Sequence, residues 1–253
     1  MNEVHTVELS EGGAPVLVEG LPGVGHVGKL VVEHLLDEFE SEVVARIHSQ
    51  HLPPQIAVDD EGLTELASCE LHRCDADGTP LLLLTGDHQS QTIEGHYRIV
   101  DEVLEVAVDR GVERAYALGG VATGEMIDEY SVVGASNDRA LLESLEAQGV
   151  RFGDGEPEGG IVGVSGLLLG LGGLRGLPAA CLMGETSGYV VDPKSAHAVL
   201  DVLTEVLEFD VDTAELESKA EEMEEVVQKL EEMNQGAGRM QGFASDEDLR
   251  YIG

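Results

Sequence analysis

Apolar positions recur along this chain at two different periods, and the alternation between them predicts an α/β fold. Residues 15–19 form a short apolar run fit for a strand, residues 20–28 a glycine-rich loop, and residues 27–39 a helix with Leu30, Val31, His34 and Leu35 on one face. A second strand is expected at 42–48. Apolar runs at 55–58 and 63–73 are separated by Asp59-Asp60-Glu61-Gly62, and Asp75-Ala76-Asp77-Gly78 precedes a run at 81–85. Turns that end in an acid and a glycine between such runs predict antiparallel hairpins. Residues 92–110 read as a long amphipathic helix, followed by strands at 116–120 and 132–135. Ser136 or Asn137 can cap the next helix, which runs to Gln148 and is stopped by Gly149. A strand at 161–164, a small-residue helix or loop at 165–175 and a last core strand at 179–184 follow. Asp192-Pro193 then opens a helix through Phe209. The α/β domain is expected to occupy residues 1–210.

The remaining residues differ in kind. In 213–235 the apolar residues Leu216, Met223, Val226, Leu230 and Met233 follow a spacing close to seven, interrupted by Lys219. That spacing predicts a C-terminal amphipathic helix over 211–235 with a narrow seam. Residues 236–242 carry three glycines and break the pattern, and 236–253 read as a flexible tail that closes on Leu249-Arg250-Tyr251-Ile252-Gly253.

Charge narrows the function classes. Of 253 residues, 50 are Asp or Glu and 14 are Lys or Arg, a formal net charge of −36. Nucleic-acid affinity starts from Lys and Arg displacing counterions from phosphates, so direct DNA or RNA binding is not expected. Acid excess spread over a chain with an ordinary apolar fraction fits a protein adapted to very high salt, where self-repulsion is screened within about 3 Å at 1 M. No run approaches the roughly 20 apolar residues of a membrane span, and the first ten residues lack a basic-then-apolar signal. A cytoplasmic protein is expected. Three cysteines cannot all pair, so no disulfide framework is expected.

The candidate chemistry is sparse. Gly23-Val24-Gly25-His26-Val27-Gly28 has dinucleotide-fingerprint spacing, and with Lys29 it also approaches a P-loop. Amides at the following helix start, with Lys29 nearby, could take an anion. However, Arg46, His48 and Ser49 stand where the second strand should end in an acid, and Leu30 replaces the hydroxyl that would hold magnesium. A tight turn that lets the helix approach the sheet is the competing reading. Cys69, His72 and Cys74 resemble a zinc set, but strand alternation puts Cys69 on the opposite face from the other two, which favours ordinary buried thiols. Asp87, Glu125 and Asp128 follow predicted strand ends and could mark a cleft or be solvated loop acids. Gly163-Val164-Ser165-Gly166 falls short of a nucleophile elbow. No metal and no cofactor are called for.

Several of these segments recur together in a known order. Gly20-Leu21-Pro22-Gly23-Val24-Gly25 with Gly28-Lys29, Gly86-Asp87 after the 81–85 run, Leu118-Gly119-Gly120 with Thr123-Gly124, Gly163-Val164-Ser165-Gly166-Leu167-Leu168 and Gly184-Glu185-Thr186 together resemble the PAC2 family, the archaeal homologues of proteasome assembly chaperones. The resemblance implies a three-layer α/β/α sandwich similar to purine nucleoside phosphorylases but without their catalytic set. It also implies a homo-oligomer that binds proteasome α subunits without hydrolysing ATP. Some archaeal relatives do so through a terminal hydrophobic-Tyr-any tail. Here Tyr251 stands third from the end, between Arg250 and Ile252, so the partner-binding residues implied are Leu249, Tyr251, Ile252 and Gly253. Two other classes stay open: a nucleoside- or anion-binding protein or enzyme using the Gly23 to Lys29 loop, and a self-assembling scaffold using the 213–235 helix.

Overall fold

Eight strands form one mixed sheet in the order β1-β3-β6-β7-β2-β8-β10-β9 in the computed structural model, which describes residues 2–6, 13–127, 129–153 and 160–223. The chain enters on β1 (Asn2–Thr6) and continues with β2 (Val16–Glu19), α1 (Val27–Glu38) and β3 (Ser41–Ser49). A small separate hairpin, β4 (Ile56–Val58) and β5 (Thr64–Leu66), leads into β6 (Cys69–Ala76) and β7 (Thr79–Gly86). Then come α2 (Ile93–Asp109), β8 (Ala115–Ala122), β9 (Val132–Ser136), α3 (Arg139–Ala147), α4 (Gly163–Leu174), β10 (Ala179–Thr186) and α5 (Pro193–Leu207). Strands β7, β2, β8 and β10 are parallel, and both flanks of the sheet are antiparallel.

The parallel centre explains why its strands read as unbroken apolar runs. Alternate residues of each strand face opposite layers. Val16, Val18, Leu81, Leu83, Tyr116 and Leu118 pack with α1, α3 and α5. Their neighbours Leu17, Leu82, Leu84, Ala115 and Ala117 pack with α2 and α4. A strand buried on both faces has no polar side to show. The result is the three-layer α/β/α arrangement expected from the sequence. Residues 214–223, the described start of the C-terminal helix (α6), lie on the α1/α5 layer, where Leu216 joins the core beside Leu207 and Phe209.

Local chemistry explains the turns. Asp77 and Gly78 both take positive φ, 51° and 92°, the geometry of a two-residue turn that matches strand twist, and Asp75 Oδ1 accepts from Gly78 N–H at 2.6 Å. Thr92 and Asp192 cap α2 and α5 through their side chains. Asp138, rather than Ser136 or Asn137, caps α3 by accepting from Leu141 N–H at 2.8 Å.

Two further expectations are corrected. The run at 161–164 is not a strand: Gly163, at φ +79°, turns the chain into α4, whose Val164, Leu168, Leu169 and Gly172 form a buried stripe. Both neighbours of β10 are occupied, by β8 and β9, so the run does not pair beside it. The run at 63–73 divides into β5 and β6. Strand β1 has little apolar signal because it is an edge strand paired only with β3.

The unit β2–loop–α1 packs without room for side chains at two glycines. A Cβ on Gly28 would lie 2.2 Å from the Leu118 carbonyl oxygen of β8, and one on Gly20 would lie 2.2 Å from the Gly28 carbonyl oxygen. Both obstacles are backbone, so relief needs α1 to move off the sheet. Gly28→Ala is expected to lower unfolding stability by about 2 kcal/mol or more, as overpacked sites do. Denaturant titration at fixed salt measures it; a variant as stable as the parent would show that α1 does not depend on this approach.

Candidate functional site

The carboxyl ends of β2, β7, β8 and β10 meet at one end of the sheet, where ligands bind in open α/β folds. The glycine-rich segment lies there. Gly25 adopts φ +61° within a short 3-10 turn (Val24–His26), and His26, at φ +54°, precedes α1. The segment crosses directly above β8: a Cβ on Gly120 would meet the Val24 carbonyl oxygen at 2.4 Å. Gly28 and Gly120 thus serve close backbone packing, Gly25 holds a positive φ against the Thr186 side chain, and Gly23 is exposed and uncrowded.

Lys29 is engaged by the protein itself. Its Nζ donates to Asp87 Oδ1 at 2.7 Å and lies 3.2 Å from Glu33 Oε1. Burial pushes the ammonium down, but the hydrogen bond to Asp87 and the charge of Glu33 more than offset it, and its pKa lies above the usual lysine value. The same Lys29 hydrogen bond holds Asp87 below the ordinary aspartate value. Of the other loop acids, Glu125 is exposed, and Asp128 lies outside the described residues.

Beside this cluster is a cleft of about 570 Å³ between α1, the β4–β5 hairpin, the start of β6 and the end of β7, with Lys219 of α6 on its rim. Glu70 lines it, accepting from Arg46 Nε at 2.6 Å and lying 3.0 Å from His72 Nε2. The His72 contact, helped by Arg46 against partial burial, holds the Glu70 carboxyl down at about 2. Cys69 is fully buried on the α2/α4 face and Cys74 sits on the other, as strand parity predicts. Burial raises Cys69 to about 12 and Cys74 to about 11, values that keep both thiols protonated and unreactive. Among the described residues no group of three or more His, Cys, Asp or Glu could hold a metal ion, and no helix is long and apolar enough to cross a membrane.

One buried acid escaped the sequence reading. Glu19, the last residue of β2, is fully buried. Its Oε1 accepts from Leu21 N–H at 3.0 Å, and its Oε2 accepts from Ser165 Oγ at 2.8 Å, in the first turn of α4. Gln89 closes the same corner, donating to the Pro22 carbonyl at 2.7 Å. Desolvation outweighs these two bonds and raises Glu19 to about 7. The available signal was an acid closing an otherwise apolar, doubly buried strand. Ser165 therefore tethers α4 to the β2 loop, and the segment that fell short of a nucleophile elbow makes a packing contact. The expected terminal contact residues, Leu249, Tyr251, Ile252 and Gly253, lie outside the described residues.

The PAC2 family model matches residues 17–231. The chain belongs to the PAC2 family. It is 37% identical over 241 residues to an uncharacterized protein of Methanocaldococcus jannaschii, covering 94% of this chain and 92% of that one. Pyrococcus furiosus PbaB, described as an archaeal proteasome activator, matches with a TM-score of 0.84 at 33% identity, over 91% of this chain and 98% of its own. Pyrococcus furiosus PbaA, described as an archaeal homolog of proteasome-assembly chaperone, matches at 0.75 and 26% identity, over 94% and 96%. In this PAC2 protein the motifs that carried the resemblance, Gly20 to Gly28, Gly86-Asp87, Gly119-Gly120 and Gly163 to Gly166, all converge on the carboxyl end of the sheet.

Glu19 gives that convergence a pH signature. Its folded value of about 7 exceeds the ordinary glutamate value of 4.5, so the folded chain holds the proton more tightly than the unfolded one. The associated stability is complete below about pH 4.5 and is lost as pH rises through 7, about 3 kcal/mol in all. Glu19→Gln keeps an acceptor for Leu21 and a partner for Ser165 but cannot ionise. The stability difference between variant and parent is expected to grow in favour of the variant from pH 4.5 to about 7.5 in denaturant titrations at constant salt. Parallel pH profiles would show that the carboxyl is not desolvated.

Proposed function

We propose that this PAC2 protein is an ATP-independent, chaperone-like partner of proteasome α subunits, which it contacts partly through Leu249, Tyr251, Ile252 and Gly253, and that it acts as a homo-oligomer. The observation that carries this reading is the likeness to PbaB over nearly the whole of both chains, from a protein described as an archaeal proteasome activator. PbaA, described as a homolog of proteasome-assembly chaperone, supports the same partner from a second side.

The terminal sequence suits a pocket contact. Tyr251 and Ile252 form an apolar pair after a glycine-bearing segment at 236–242. Between a chain of charge −36 and another acidic protein, long-range attraction is absent, so affinity has to come from desolvated anchors, and aromatic side chains are the strongest of these. Several tails on one oligomer add avidity without new contacts.

A non-catalytic role is the companion proposal. At the carboxyl end Lys29 is paired with Asp87 and Glu33, and Ser165 with Glu19. This leaves the nucleoside- or anion-binding reading without a free lysine in the glycine loop.

Deleting the last three residues is expected to abolish capture of α subunits from the same organism while leaving the circular dichroism spectrum and oligomeric state unchanged. Tyr251→Ala is expected to weaken capture about thirtyfold per site, the equivalent of about 2 kcal/mol. Capture by the truncated protein at the parental level would remove the tail from the account and place any α-subunit contact on the sandwich.

A further inference from the structure

Exposed apolar side chains are not spread evenly over this molecule. Of the twelve large apolar residues exposed among the described residues, ten stand at the carboxyl end of the parallel strands, in the loops after β2, β8 and β10, at the starts of α2 and α4 and on the β4–β5 hairpin. Val108 and Leu174, at the far ends of α2 and α4, are the other two. The hairpin is the densest cluster: Ile56, Val58, Leu63 and Leu66 are exposed by 54, 63, 65 and 53%.

The orientation of this hairpin is inverted for a free surface. Ile56 is paired across the strands with Leu66, and Ala57 with Glu65, so one face carries the apolar pair and the other the acid. Glu65 is turned to the body, where its Oε1 lies 3.4 Å from Arg46 Nε, while Ile56 and Leu66 stay exposed, Leu66 also bordering the cleft beside α1. Two strands of three residues each have little stability of their own in water. A hairpin held to its domain by its polar face, with its apolar face open, is built to be covered.

We propose that the outward face of the β4–β5 hairpin is a self-association surface, covered by the same face of a second copy of this chain. Two observations choose a copy over an unlike partner. A twofold contact needs a self-complementary patch, and the Ile56–Leu66 row laid against itself is one. The second is charge. In a chain with 50 acidic residues among 253, residues 43–58, which include all of β4 and its approach, contain none. Copies that each carry −36 repel one another over most of their surface, and the outward row of Ile56, Val58, Thr64 and Leu66 brings no acid to a contact. Asp59, Asp60 and Glu61 are confined to the hairpin tip, and antiparallel packing of two hairpins keeps the tips apart. The proposal deepens the self-association part of the function proposed above and is independent of α-subunit binding.

The test uses the full-length protein in light scattering over a concentration series, at molar and at low potassium chloride. The parent is expected to be oligomeric. Ile56→Asp combined with Leu66→Asp is expected to raise the dissociation constant by about tenfold or more, with an unchanged circular dichroism spectrum. Should the double variant misfold, Val58→Cys provides a second route, because the three native thiols are buried. A bis-maleimide cross-linker, long enough to span the offset between the two tips, is expected to give a covalent dimer from Val58→Cys and none from Val108→Cys at the opposite end. A monomeric parent, a folded double variant with the parental mass, or cross-linking equal at both positions would overturn the proposal. Protection of the hairpin only after α subunits are added would assign the face to that partner and likewise overturn it. Loss of α-subunit capture on tail deletion with the oligomer intact separates the two proposals, since each can fail alone.

Discussion

The four parallel strands at the centre of this protein have to be covered on both faces, and most of the architecture is a consequence of that demand. Leu17 and Val18, adjacent in β2, point into separate cores, one closed by α2 and α4 and the other by α1, α3 and α5. No polar side chain can leave such a strand sideways, so polar groups emerge only where the strands stop. Glu19 stands at that limit. It is still fully enclosed, yet close enough to the strand end to take the Leu21 amide and to reach Ser165 on a different layer. The glycines obey the same constraint, since α1 covers its layer only by approaching β8 to within backbone contact at Gly28.

The features legible in the sequence were those set by local chemistry. The β2–loop–α1 unit, the Asp77-Gly78 turn and the division of Cys69 and Cys74 between faces each depend on a few consecutive residues, whose preferences no distant contact overrode. The misreadings share a cause as well. The apolar run at 161–164 carries no period that separates strand from helix, and the decision was made by the sheet, whose lanes beside β10 were already filled. The Glu19–Ser165 bond joins residues 146 apart, and the Arg46–Glu65 pair joins the hairpin to β3 across 19 residues. Pairings of that kind have no local signature.

The motifs that first suggested the family are glycine motifs, and several acquire a common physical reason here. They allow backbone to cross backbone at the carboxyl end of the sheet, where many exposed apolar side chains also stand. Exposed apolar side chains are what a protein contact uses. Ser165 is held by Glu19, and burial keeps the Cys69 and Cys74 thiols protonated.

The function proposed above assigns this end of the molecule to contacts with other protein chains rather than to a reaction. Amide hydrogen exchange of the full-length protein tests it most directly when recorded alone, with proteasome α subunits, and with a nucleoside plus phosphate. The account predicts new protection with α subunits, including the amides of residues 249–253, and no change at residues 20–29 with the small molecules. Protection of residues 20–29 by nucleoside and phosphate, with none anywhere from α subunits, would contradict it.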